Sequence, residues 1–207
     1  MDDILLGLIL YGILLISLSV HEWAHAWTAW KLGDPTAKSL GRVTLNPLAH
    51  IDLLGTVVLP LFMILANPGF AIFGWAKPVP VNSSYFKNPV NGDLLVTGAG
   101  PLSNLILYLL VGGASYYLLP LGPEIAQVVI MAMAMNFMLA LFNMIPIPPL
   151  DGSHFLRIAV GMSYETFIKL SMIGPIILLL VINVAPVRGF FSQIILNALD
   201  IWPWIEF

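Results

Sequence analysis

The stretch from Ile4 to about Trp30 is apolar and long enough to cross a bilayer, yet it carries the pentapeptide HEWAH at positions 21 to 25. No other feature constrains the chain as much. On an α-helix, residues four apart share a face, so the imidazoles of His21 and His25 can grip one ion while Glu22, beside His21, reaches a water on it. These are the parts of zinc-assisted hydrolysis. A Glu and two His in a lipid-spanning helix are costly unless they face a protein-lined or wet cavity, so they ask for a functional account.

The surrounding composition agrees with a membrane setting. The 207 residues are 59% hydrophobic and 9% charged, with a mean hydropathy of +0.93, whereas soluble domains run nearer a quarter charged. That leaves room for about four to six spans in one intramembrane domain, residues 1–207. A formal charge of −3 with eight scattered Lys and Arg offers no basic stripe, which argues against a nucleic-acid partner. The chain has no cysteine, so any metal must be held by His, Asp or Glu. The acidic start MDDILL is unlike a signal peptide, and the first apolar run reads as a retained span.

Hydropathy and breakers predict an all-α polytopic bundle of about four spans, near residues 4–30, 93–119, 124–145 and 167–185. The apolar stretch 53–75 is cut by Asn67-Pro68-Gly69 into pieces too short to span, and reads as a re-entrant hairpin. Residues 36–50 mix β-prone and turn residues, predicting a short β element at the membrane surface whose residues 36–45 could hold an unwound substrate segment as an added strand. The tail, 189–207, reads as interfacial, with Trp202 and Trp204 at headgroup level.

Charge placement supports the hairpin. If 53–75 leaves and returns on one side, seven of the eight Lys and Arg fall in the cytoplasm, and only Arg188 joins Asp2, Asp3 and Glu124 outside. The same topology lets Asp151 approach His21. Counted at ~1.5 Å per residue from Trp30, His21 lies about 13 Å from the cytoplasmic end of its helix, in the inner leaflet.

A hydrolytic zinc takes three protein ligands and keeps a position for water, so HExxH needs one further ligand. Asp151 is the first choice, because IPIPPL before it breaks the preceding span and frees backbone to line a cavity. His50 with Asp52, and His154, are the other candidates, as ligands or as groups that orient them. Each has a plainer reading: Asp151 before Gly-Ser is an ordinary helix cap, and loop histidines are more often solvated or bonded to backbone. Asn104 and Asn143 would by default be hydrogen-bond glue between helices, with GAGPLSN letting spans approach closely.

Taken together, HEWAH at 21–25, GPLSN at 100–104 and NMIPIPPLDG at 143–152 resemble the site-2 protease family, peptidase family M50, of intramembrane zinc metalloproteases. With NPLAHID at 46–52, the order and spacing are similar to its compact prokaryotic branch without a PDZ domain, over roughly residues 4 to 160. The resemblance implies one Zn²⁺ per chain held by His21, His25 and Asp151, with Glu22 as general base. It also implies packing, substrate or transition-state roles for Asn104 and Asn143. The function implied is regulated intramembrane proteolysis: hydrolysis of membrane-protein substrates in or near a transmembrane helix, in the lipid bilayer of a prokaryotic inner membrane, with the active site towards the cytoplasmic leaflet. The competing class is a divalent-metal transporter or metal-sensing membrane scaffold, in which His and Asp bind an ion in transit.

Overall fold

The computed structural model describes residues 2–66, 74–182 and 184–205. Among the described residues three helices are long and apolar enough to cross a membrane, beginning with α1, Asp3–Lys31. Asp2 caps its start by accepting from the Ile4 amide, and Asp3 and Lys31 complement the helix dipole at opposite ends. It stops where the sequence predicts. Gly33, at φ +108°, takes the left-handed conformation that closes the helix, with its N–H on the Trp30 carbonyl and that of Asp34 on the Ala29 carbonyl.

Residues 36–45, expected to hold a strand, do not. Thr36–Ser39 is a single helical turn, α2, followed by a bend at Leu40 and Gly41, and no strand occurs among the described residues. Local side-chain bonding prevails over β propensity here: Asp34 Oδ1 accepts from the Thr36 amide at 2.9 Å and hydroxyl at 2.5 Å, and Ser39 Oγ donates back to the Thr36 carbonyl. With no strand edge in this stretch, the expected site of strand addition falls away.

Asp52 then caps a wide π-helical stretch, Leu53–Val58, which runs into α3, Leu59–Ala66. This segment packs along α1: Tyr11 Oη donates to the Thr56 carbonyl, and Ile64 sits against Gly7, where an added Cβ would come within 3.1 Å. By Trp75 the chain lies beside its own start, with the Trp75 amide on the Gly55 carbonyl at 3.2 Å and Thr56 Oγ1 on the Trp75 carbonyl at 2.9 Å. The tip of the hairpin expected over 53–75 lies outside the described residues.

Helix α4, Pro89–Leu118, starts four residues earlier than the predicted span, because Asn88 caps it and Pro89 occupies its first turn. It packs against both α1 and α5, Pro123–Asn143. Beyond α5, Pro146, Pro148 and Pro149 cannot continue a helix, and the chain turns through Asp151 into the short α6, Gly152–Ala159.

The last two helices depart from the sequence reading. Helix α7, Tyr164–Ile182, starts where Phe167 meets His154 and passes the Pro148 carbonyl at Gly174. It hands over to α8, Ala185–Leu199, whose Arg188 lines a cleft with Met138 and Phe142 at the end of α5. All these landmarks belong to the end of the bundle that holds Asp151, so α7 runs along that end, and among the described residues the fourth expected span is not one of the three helices long and apolar enough to cross. The tail packs onto the bundle. Ala198, Leu199 and Ile205 pack with Tyr108, Val129 and Met133, while Trp202 and Trp204 donate their indole N–H to Tyr108 Oη at 3.0 Å and Ser115 Oγ at 2.7 Å. Gly112 makes the space, since a Cβ there would collide with the Trp202 ring.

Candidate metal centre

His21 and His25 occupy the face of α1 that α4 covers, and both rings are buried. Their Nδ1 atoms are spoken for. His25 Nδ1 meets the Val96 carbonyl at 2.7 Å, an atom that can only accept. His21 Nδ1 meets Asn104 Oδ1 at 2.6 Å, and the orientation of that amide is set by its Nδ2, which donates to the Ser17 carbonyl and to Asn136 Oδ1, both at 3.2 Å. Each ring therefore carries a proton on Nδ1, and in its neutral form presents a bare Nε2 to the same point.

Asp151 completes the set. Its Oδ2 lies 3.2 Å from His21 Nε2 and 3.4 Å from His25 Nε2, which are 3.0 Å from each other. A zinc ion bonded at 2.0–2.1 Å with tetrahedral angles would hold its ligand atoms about 3.3 Å apart. Three acceptor atoms at that spacing repel one another unless a cation joins them, and Asp151 Oδ2 is buried with no hydrogen-bond donor.

The plainer reading of Asp151 as a helix cap does not fit. It stands at the start of α6, but its own backbone is already helical and its side chain makes no capping bond. Its position is set by its neighbours instead. Gly152 packs so closely on the Met144 carbonyl that a Cβ would collide with it, and Ser153 Oγ donates to the Leu150 carbonyl at 2.6 Å. Then α6 is tied to α4: Asp93 Oδ2 accepts from Arg157 at 2.8 Å and His154 Nδ1 at 3.3 Å.

Glu22 sits one residue from the first imidazole, about 9% exposed, and its Oε2 accepts the Val79 N–H at 2.9 Å. No sequence signal marks this contact, since Val79 is an ordinary residue between two prolines. Also unforeseen was Gly100: a Cβ there would collide with the Nε2 atoms of both His25 and His21, so α4 approaches at this point to the edge of the metal position itself.

The remaining candidates sit elsewhere. His50 donates from Nε2 to the Thr44 carbonyl at 2.8 Å and takes Arg42 on Nδ1; Asp52 caps the helix after it. His154 is bound to Asp93. Asn104 has no exposed surface, so what it holds is His21, whereas Asn143 turns back on the Leu139 carbonyl of its own helix at 2.9 Å. Among the described residues, His21, His25 and Asp151 form the single cluster of three or more such side chains placed to share an ion.

Known proteins place this arrangement in context. Residues 118–182 match the family model for peptidase family M50. The chain is 37% identical over 193 residues to "Putative zinc metalloprotease YwhC" of Bacillus subtilis, covering 89% of this chain and 84% of the relative. It is 29% identical over 189 residues to "Putative zinc metalloprotease Rip2" of Mycobacterium tuberculosis, covering 90% of this chain and 71% of that one. No solved structure matches the chain.

Proposed function

Because the chain belongs to peptidase family M50, the site-2 protease family, we propose that this membrane-embedded metalloprotease is a zinc-dependent endopeptidase that cuts membrane-protein substrates in or near a transmembrane helix. His21, His25 and Asp151 hold the ion and Glu22 is the general base. The observation that carries the reading is the convergence of three ligand atoms, two imidazole Nε2 and one carboxylate oxygen, at 3.0 to 3.4 Å, with Glu22 adjacent, inside apolar helices. When bound, Zn²⁺ polarises a peptide carbonyl and makes water a usable nucleophile near neutral pH.

The rest of the chemistry falls to the chain. Asn104 and the Val96 carbonyl keep both imidazoles in the ligating tautomer. Glu22 takes a proton from the attacking water and returns it to the leaving amine, while Val79 N–H occupies one carboxylate oxygen and leaves the other for that proton. A substrate helix hides its carbonyls in internal hydrogen bonds, so it must unwind locally before it can react.

The site faces the cytoplasmic leaflet of a prokaryotic inner membrane in this reading. What supports that orientation is charge. All eight Lys and Arg, Arg188 included, gather at the metal end, while Asp2, Asp3, Glu124 and Asp200 stand at the other ends of α1, α5 and α8.

The test is Glu22→Gln in purified protein, with cleavage of a single-span substrate and zinc content measured together. Cleavage is lost while one zinc per chain remains; a variant that still cleaves removes the general-base role. A metal transporter would show ion flux and no proteolysis in the unaltered protein.

A further inference from the structure

Three buried polar side chains take no part in holding the ion: Asp34, Arg42 and His50, with 0%, 7% and 2% of their surface exposed. Burying a carboxylate and a guanidinium is costly unless their bonds are met; Arg42 Nε has no partner among the described residues, and its two NH groups and Asp34 Oδ2 are engaged by one extended stretch, residues 75–82. Arg42 donates to the Lys77 carbonyl at 2.5 Å and the Pro78 carbonyl at 3.5 Å. His50 buttresses Arg42 through its ring, and its own carbonyl takes the Lys77 amide at 2.9 Å. Asp34 Oδ2 accepts the Asn82 amide at 2.7 Å. The stretch is thus pinned on both sides of Val79.

Pro78 and Pro80 flank Val79, fix their own φ and carry no N–H. Val79 N–H is the one amide between them, and it lies 2.9 Å from Glu22 Oε2. A glutamate has three rotatable side-chain bonds, and reaction from a single geometry is slowed by every other rotamer it visits. A neutral amide can hold one oxygen of the carboxylate without neutralising its charge.

The geometry points to Val79 as a positioning residue for the catalytic carboxylate: its N–H, on an arm held by Arg42, His50 and Asp34, keeps Glu22 in the rotamer from which its other oxygen takes the proton. This rests on the reading of Glu22 as general base. The buried Asp34–Arg42–His50 set then acts on catalysis through the arm, touching neither metal nor substrate.

The experiment compares Val79→Pro, which removes the N–H, with Val79→Ala, which keeps it, and with Glu22→Gln. Val79→Pro loses about tenfold to hundredfold in kcat while KM and zinc content stay at the unaltered values, and Val79→Ala stays within about twofold. Equal turnover by the Pro and Ala variants overturns the proposal. If Val79→Pro loses zinc or does not fold, Arg42→Gln decides: lower kcat at unchanged KM and zinc content supports the arm, and unaltered kcat overturns it. Zinc loss in both variants makes the arm a support for α1 alone and overturns it as well. Glu22→Gln separates this inference from the reading beneath it. If that variant keeps full turnover, both fall; if it is inactive while Val79→Pro is unimpaired, the positioning role alone falls.

Discussion

Asn104 Oδ1 lies 2.6 Å from His21 Nδ1, and the other end of the same amide is tied to the Ser17 carbonyl, so one side chain on α4 keeps a proton on Nδ1 of a proposed metal ligand on α1. Truncating it frees the imidazole to rotate and to move its proton onto Nε2. Asn104→Ala should weaken zinc binding about tenfold to hundredfold, measured by competition with a chelator of known affinity. Asn143→Ala, which removes a bond to its own helix alone, should leave zinc affinity unchanged.

Gly100 and Gly98 stand two residues apart on α4 and predict opposite outcomes. A Cβ at Gly100 would occupy the space of both Nε2 atoms, whereas a Cβ at Gly98 meets Phe155 Cζ at an ordinary 3.6 Å. Gly100→Ala should yield folded protein with little or no zinc. Gly98→Ala should keep about one zinc per chain, and metal analysis of the two purified variants makes the comparison.

Much of this site was legible because its chemistry forces a pattern. Metal ligation at i and i+4 leaves HEWAH, and a ligand placed just beyond a helix end leaves the Pro run before Asp151. Helix ends were legible for the same reason: Gly33-Asp34-Pro35 and Gly122-Pro123 each mark a conformation few other residues allow. What stayed hidden depends on backbone atoms or on distant partners. Val79 acts through its N–H, which any residue but proline supplies. Residues 36–45 have β propensity, but Asp34 bonds locally to Thr36 and settles a turn. That Trp202 and Trp204 dock on Gly112 and Ser115, some ninety residues earlier, is signalled by nothing near them in sequence. Helix α7 is apolar enough to pass for a span, and only its contacts with His154 and Pro148 show where it runs.

Asp93 links α4 to α6 just beyond the third ligand. Its Oδ2 takes both Arg157 and His154, one turn apart on α6, so the helix that begins after Asp151 cannot swing away from α4. Asp93→Ala leaves a guanidinium partly buried without its partner and loosens α6. Zinc affinity should fall by about tenfold, and hydrogen exchange should quicken over residues 152–159 more than over α1. Unchanged exchange in α6 would show that the Pro-rich turn alone holds Asp151.

The aromatic cluster at the other end of α4 should govern stability without touching the chemistry. Trp202 fills the space over Gly112 and bonds to Tyr108, whose hydroxyl donates in turn to the Ala198 carbonyl. Gly112 and Gly100 are twelve residues apart on one helix, about 18 Å at ~1.5 Å per residue, beyond the range at which substitutions usually couple. Trp202→Ala removes a large packed ring and should cost about 3–5 kcal/mol, read as a lower midpoint of denaturation in detergent. Zinc content and kcat per folded molecule should match the unaltered protein. A fall in zinc content at temperatures well below that midpoint would mean that the two ends of α4 communicate, and that the C-terminal residues help to shape the metal centre as well as to close the bundle.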